Sequence, residues 1–227
     1  MKCNPDEKFI AEIPFFSSLS AEEISRFCQV THLISYSPGE ILFKQNTPVT
    51  AVMYVCTGLV KLVRDADHRK RCILHLAGAG DFTALQAVFS DELHQYSAAA
   101  VDDTSVLMIE ISEFHHTISQ NAPFAAAFLK QTSLEGARIM TKLLNQYYKQ
   151  LPGRVAEMLL FFSQKVYKSP VFSLPLTRQE LAEFTGTTKE SMIRTLAEFR
   201  HDKIIRIEGK NVEIISPDII NTLSRLG

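Results

Sequence analysis

The residues best suited to chemistry lie in the stretch GTTKESMIRTLAEF, residues 186–199. Glu190 and Arg194 are four apart, so a helix would put them on one face. A carboxylate there can accept from cytosine N4, and a guanidinium can donate to guanine O6 and N7 together. Thr188, Lys189 and Ser191 share the same first turns and carry groups that reach phosphate oxygens or neighbouring base edges. Met192, Ile193, Leu196 and Phe199 hold most of the apolar bulk. Plainer uses exist for the polar residues. Glu190 can complete a capping box, and a Glu190–Arg194 pair on a surface helix is worth only about 0.3 to 0.5 kcal/mol. A base-reading role therefore depends on the elements around the segment.

Those elements read, from Leu176 onward, as helix, tight turn, helix and two-stranded hairpin. Thr177-x-x-Glu180 and Thr187-x-x-Glu190 are start signals for the two helices, with Thr187 or Thr188 as the second cap. Gly186 supplies the turn between them, and the hairpin turns at Glu208-Gly209-Lys210. This is a winged helix-turn-helix, whose second helix puts its N-terminal residues into a major groove. Thr177, Arg178 and Gln179 at the start of the first helix, and Gly209 and Lys210 in the wing, complete the DNA-contact candidates, with Arg178 holding the phosphate backbone.

Upstream, the pattern is helical for nearly thirty residues after Pro123. Ala127, Leu134, Ala137, Thr141, Leu144, Tyr148 and Leu151 recur at steps of three and four, with Lys130 interrupting. A seam this long predicts a dimerisation helix; the alternative is a helix lying along its own domain. Before it, a capped helix starts at Ser20 with Glu23 three residues on. From Leu33 to Ile111 short β-rich runs alternate with turns at Pro38-Gly39, Thr57-Gly58 and Gly78/Gly80, which predicts a double-sheet jelly roll with an interior pocket. The expected fold is α+β: a β-jelly-roll sensing domain over 1–122, a dimerisation helix over 123–151 and a winged helix-turn-helix over 152–227.

Composition fits this plan. With 227 residues, 46% apolar and 22% charged, the chain can build two real cores. It has no run of 18 apolar residues, and MKCNPDEKF lacks the apolar core of a signal peptide, so a cytoplasmic protein with no membrane partner is expected. Cys3, Cys28, Cys56 and Cys72 form no C-x-x-C pair, which predicts free thiols and no metal site. From Leu151 onward 11 Lys and Arg stand against 9 Asp and Glu, a net of +2; the preceding part has 13 against 16, a net of −3. The basic end suits a nucleic-acid partner.

The order of jelly roll, long helix and winged helix-turn-helix resembles the Crp/Fnr family of bacterial transcription regulators over nearly the whole chain. LTRQELAEFTGTTKESMIRTLAEF is similar to the family's helix-turn-helix, and GEILFKQN, YVCTGLVKL and GAGDF are similar to its cyclic-nucleotide-binding-like roll. FSDELHQYSA and the closing LSRLG look most like a Bacteroidetes-type subgroup. The resemblance implies no enzymatic activity and a homodimer reading a palindromic double-stranded operator through Glu190 and Arg194. It also implies a small-molecule signal bound in the roll and passed through the long helix. RNA polymerase is an implied partner, with the charged tip RDADHRKR as a place for contact.

In cyclic-AMP-binding members a Gly-Glu pair holds the ribose and an Arg-Ser pair the phosphate. Here Ala84 and Leu85 stand in the first slot and Tyr96 precedes Ser97. A buried phosphate would lack its cation, so cyclic AMP is not the expected effector. Iron–sulfur members use an N-terminal cysteine cluster, where this chain has Cys3 alone. The candidate effector pocket is then Met53, Cys56, Cys72, His75, Leu85, His94, Tyr96 and Ser97. Its soft donors leave open a haem-based sensor of nitric oxide or carbon monoxide, or a redox sensor of the same fold. No cofactor is otherwise assigned. Two remoter readings are a cupin-like metal-binding enzyme, which would leave the helix-turn-helix unexplained, and a constitutive architectural binder with an empty roll. His115-His116 opens a helix and needs no metal.

Overall fold

The computed structural model describes residues 2–66, 70–89 and 93–227. The hairpin tip at 67–69, within RDADHRKR, and residues 90–92, within FSDELHQYSA, lie outside them. The chain opens with β1 (Lys2–Cys3), α1 (Glu7–Ala11) and α2 (Ala21–Val30). Ser20 accepts from the Glu23 N–H while the Glu23 carboxylate accepts from the Ser20 N–H, so α2 starts on the capping box read from sequence. Strands β2 (Thr31–Tyr36), β3 (Ile41–Phe43), β4 (Ala51–Thr57), β5 (Leu59–Ala66), β6 (Lys70–Gly78), β7 (Phe82–Thr83), β8 (Ser97–Ala100) and β9 (Thr104–Glu110) follow. They form two sheets, ordered β1-β2-β9-β4-β7 and β3-β8-β5-β6, which make the predicted roll.

Strand alternation divides the roll's apolar residues between two cores. On β4, Val52 and Tyr54 face a cluster containing Phe16, Phe27, Phe82, Phe114 and Phe124, packed under the N-terminal helices. Met53 and Val55 face the other way, into the roll with Val60, Leu62, Ala98 and Val106. The aromatic cluster packs largely edge to face, as for Phe27 and Phe114 at 6.0 Å between centroids. Truncating one of these fully buried rings to alanine costs about 3 to 5 kcal/mol.

Next come α3 (Ile111–Gln120) and the 27-residue α4 (Ala122–Tyr148). The Asn121 side chain accepts from the Phe124 N–H at 2.9 Å near the start of α4. The chain then forms α5 (Leu151–Phe161), β10 (Val171–Ser173), α6 (Arg178–Thr185), α7 (Lys189–His201), β11 (Ile205–Glu208), β12 (Asn211–Ile214) and α8 (Pro217–Leu226). Leu151 opens α5 instead of continuing α4, because Pro152 has no N–H and fits only a first helical turn. Strands β10, β12 and β11 make a three-stranded sheet in that order.

Two compact units result. One takes in the residues up to Lys70 together with Leu74–Arg138; the other takes in Arg71–Ile73 and Ile139–Gly227. Helix α4 contributes to both. Among the described residues, no helix is long and apolar enough to cross a membrane.

Candidate nucleic-acid interface

Helix α6 begins on the predicted box: Thr177 Oγ1 accepts from the Glu180 N–H, and the Glu180 carboxylate accepts from the Thr177 N–H at 2.9 Å. It ends at Gly186, where φ is +68°, and the Gly186 and Thr187 N–H groups both return to the Ala182 carbonyl. The cap of α7 is Thr188, whose hydroxyl accepts from the Ser191 N–H at 3.2 Å. The Thr187-x-x-Glu190 box is therefore not the start signal used, and Glu190 is left on the exposed surface of the first turn.

The rotation of α7 is fixed by its apolar side. Met192, Leu196 and Phe199 are buried with Thr195, while Ile193, the fourth of the helix's large apolar residues, is 46% exposed and joins the polar face. Lys189, Glu190 and Arg194 are exposed and Ser191 is half-buried. Arg194 does not pair with Glu190; its Nε lies 3.9 Å from the Glu198 carboxylate. Both partners are largely exposed, so this pair is weak and easily exchanged for a ligand.

Arg178 has a structural partner that the sequence did not suggest. Its guanidinium donates to the Gly209 carbonyl at 2.7 Å, tying the start of α6 to the wing, and burial lowers its pKa. Gln179 donates to Glu183 on its own helix at 3.1 Å. The wing is a hairpin in which Glu208 faces Asn211 across the Gly209-Lys210 loop, with φ +59° at Gly209. Sequence reading also missed Arg154, which donates to the Thr185 carbonyl at 2.9 Å and the Lys149 carbonyl at 2.8 Å. It satisfies helix-end acceptors from two elements, and nothing local to Arg154 announces them.

Along α4 the predicted seam residues Leu134, Ala137, Thr141, Leu144 and Tyr148 are exposed, and Leu129, Ile139, Met140, Leu143 and Tyr147 extend the apolar face. Tyr148 is 82% exposed. This is far more apolar surface than a solvated helix normally carries.

The eight candidate pocket residues do not converge. Met53 and His94 line a cavity of about 410 Å³ with Phe43 and Met108. Tyr96 is one ring away, 5.9 Å from Phe43 between centroids. Its hydroxyl accepts from the Ala84 N–H at 3.1 Å and donates to Gln86 Oε1 at 3.4 Å. Burial is the main cause of its pKa being raised to about 12. The Gln86 amide in turn donates to the Glu135 carboxylate on α4. Ser97 Oγ accepts from the Gln45 N–H at 2.9 Å.

Leu85 is fully buried in the aromatic cluster, and Cys56 packs against that cluster from the opposite side of β4 to Met53. Burial pushes the Cys56 thiol up to about 11, which makes it a poor thiolate. Cys72 and His75 are half-buried on β6. Cys28, Cys56 and Cys72 are free thiols. Among the described residues no three His, Cys, Asp or Glu side chains gather as a metal site.

Comparison with known proteins covers both units. Residues 33–121 match the cyclic nucleotide-binding domain, and residues 153–221 match the Crp-like helix-turn-helix domain. The chain is 26% identical over 215 residues to the nitrogen fixation regulation protein FixK of Bradyrhizobium diazoefficiens, covering 92% of this chain and 88% of that protein. It is 22% identical over 212 residues to a CRP-like cAMP-activated global transcriptional regulator of Mycobacterium tuberculosis, covering 92% and 95%. Among solved structures it shares the fold of FixK2 from Bradyrhizobium japonicum, with a TM-score of 0.78 at 23% identity over 86% of this chain and 97% of that one.

Proposed function

We propose, from the premise that the chain belongs to the Crp/Fnr family of transcription regulators, that it binds a palindromic operator as a homodimer, under the control of a small molecule held in its roll. Its relatives and fold are those of transcription regulators and not of enzymes, which removes the cupin-like alternative. In this reading residues 1–122 sense, 123–151 dimerise and 152–227 bind DNA.

The observation that carries the DNA-binding reading is the first face of α7. Thr188 does the capping, so Glu190 stands exposed with Arg194 one turn on, and the buried side of the helix fixes their direction. Glu190 is suited to cytosine N4 and Arg194 to guanine O6 and N7, while the exposed Ile193 offers apolar contact to a thymine methyl. Thr177, Gln179, Lys189 and Lys210 serve the phosphates. Dimerisation is supported by the exposed apolar face of α4, which a second copy would cover. Replacing Arg194 with alanine is expected to cost about 1 to 3 kcal/mol on the cognate operator and to relax preference at one G·C position per half-site. Binding titrations on operator and random duplexes check this; equal losses on both would contradict base reading.

The effector is not a cyclic nucleotide in this proposal, because Tyr96 supplies no cation for a phosphate and its hydroxyl already occupies the Ala84 N–H. Haem is the second reading, since His94, Met53 and Met108 line one cavity and would be the residues to hold its iron. A Soret band after haem addition, abolished by His94→Ala, would select it.

A further inference from the structure

The cavity in the roll has an asymmetric chemistry. Phe43 and Met53 are buried in its wall, and Met108 is half-buried beside them. His94, 6% exposed, stacks on Phe43 with centroids 3.9 Å apart and planes at 14°. Exposed Lys44 and Thr50 line it as well, and among the described residues no Asp or Glu does. Desolvation lowers the His94 pKa, which favours its neutral imidazole, and Lys44 is the basic side chain among the described residues of the lining. No ion pair occupies Lys44 among the described residues. A volume of about 410 Å³ lies in the range of small-molecule sites.

We infer that this cavity binds a small monocarboxylate with an apolar body, the body against Phe43, Met53 and Met108 and the carboxylate on Lys44 and the Thr50 hydroxyl. The inference rests on the reading of the roll as the effector-binding unit and gives that effector a chemical class. One lysine compensates one negative charge, which fits a carboxylate and leaves a phosphate dianion short. A continuous path leads away from the site. Phe43 contacts Tyr96, and the Tyr96 hydroxyl joins the Ala84 N–H to Gln86, whose amide holds Glu135 on α4. An occupant that displaces Phe43 displaces Tyr96, and with it the hydrogen bonds that reach the long helix.

Isothermal titration of the full-length protein with straight-chain carboxylates of six to twelve carbons, and with the matching alcohols, tests the site. The expected result is saturable binding of one molecule per chain, at least tenfold tighter for the best carboxylate than for its alcohol. Lys44→Met, at an exposed position, should abolish that preference, and Met108→Phe should weaken both compounds by filling the cavity. Absence of heat for the whole series, or a carboxylate preference that survives Lys44→Met, overturns the inference.

A second measurement separates it from the regulatory reading. Operator affinity is expected to change on adding the best carboxylate, and Tyr96→Phe should remove that change while binding persists. If a carboxylate binds as expected but operator affinity does not respond in the wild type, the site stands and the effector reading falls. If operator affinity responds to a different small molecule while every carboxylate is silent, the site falls and the regulatory reading stands.

Discussion

At Glu135, burial and the nearby charge of Asp81 raise the carboxyl pKa to about 7, against Arg138 and a hydrogen bond from Gln131 that lower it. An unfolded glutamate titrates near 4.5, so between that value and about 7 the folded chain binds more protons than the unfolded one. Stability from this group is therefore present at low pH and is lost as pH rises through that window. Glu135→Gln is expected to flatten the fall in Tm between pH 5 and 8, as measured by thermal unfolding across buffers. A slope unchanged by the substitution would remove Glu135 as its cause. Arg178 carries a different expectation, because its guanidinium holds the Gly209 carbonyl. Arg178→Ala should weaken binding to all duplexes alike, reduce the salt slope by about one and speed amide exchange in the wing. Loss confined to the operator would contradict both roles.

The helix-turn-helix depends on a single backbone conformation. Gly186 has φ +68°, and a Cβ added there would meet the Gln146 side-chain nitrogen at 3.1 Å. That amide lies at the end of a flexible side chain and can give way, so the cost comes from the left-handed backbone, at about 1 to 2 kcal/mol. Gly186→Ala should lower stability by that amount in denaturant titrations. It should also cost more affinity on the operator than on random DNA, since it disturbs the placement of α7. Side-chain contacts also join α4 to α6, and the residue after α4 to α5. Lys142 of α4 lies 4.0 Å above the Phe184 ring, with burial lowering its pKa to about 8, and Lys149 pairs with Glu157 of α5 at 3.0 Å.

For the whole molecule the exposed face of α4 sets the expectation. Leu143 and Leu144 are 48% and 45% exposed, with Met140 and Tyr147 near them on the helix. Leu143→Glu combined with Leu144→Glu should convert a dimer to a monomer in sedimentation experiments and reduce affinity for a palindromic site toward that of a half-site. An unchanged dimer would show that this face is not the interface. Such substitutions on exposed positions leave the two cores intact, so loss of folding is not the expected cause of a change.

The sequence determined what is decided within a few residues. The capping boxes at Ser20 and Thr177, the turn at Gly186 and the wing at Gly209 each follow from a hydrogen bond or a backbone preference spanning at most four positions, and all four were legible. The choice of Thr188 over Thr187 was not, because adjacent threonines offer the same local chemistry and the burial of Met192, Leu196 and Phe199 sets the helix in place. Alternation along β4 already separated Met53 from Cys56, three positions apart on a strand, and that signal could have kept Cys56 out of the pocket. What only the tertiary structure decided are partners far apart in sequence: Arg178 with Gly209, Arg154 with Thr185, and Tyr96 with Ala84 and Gln86 before Glu135. Their side chains meet because packed elements bring them within hydrogen-bonding reach, and no short-range preference encodes that meeting.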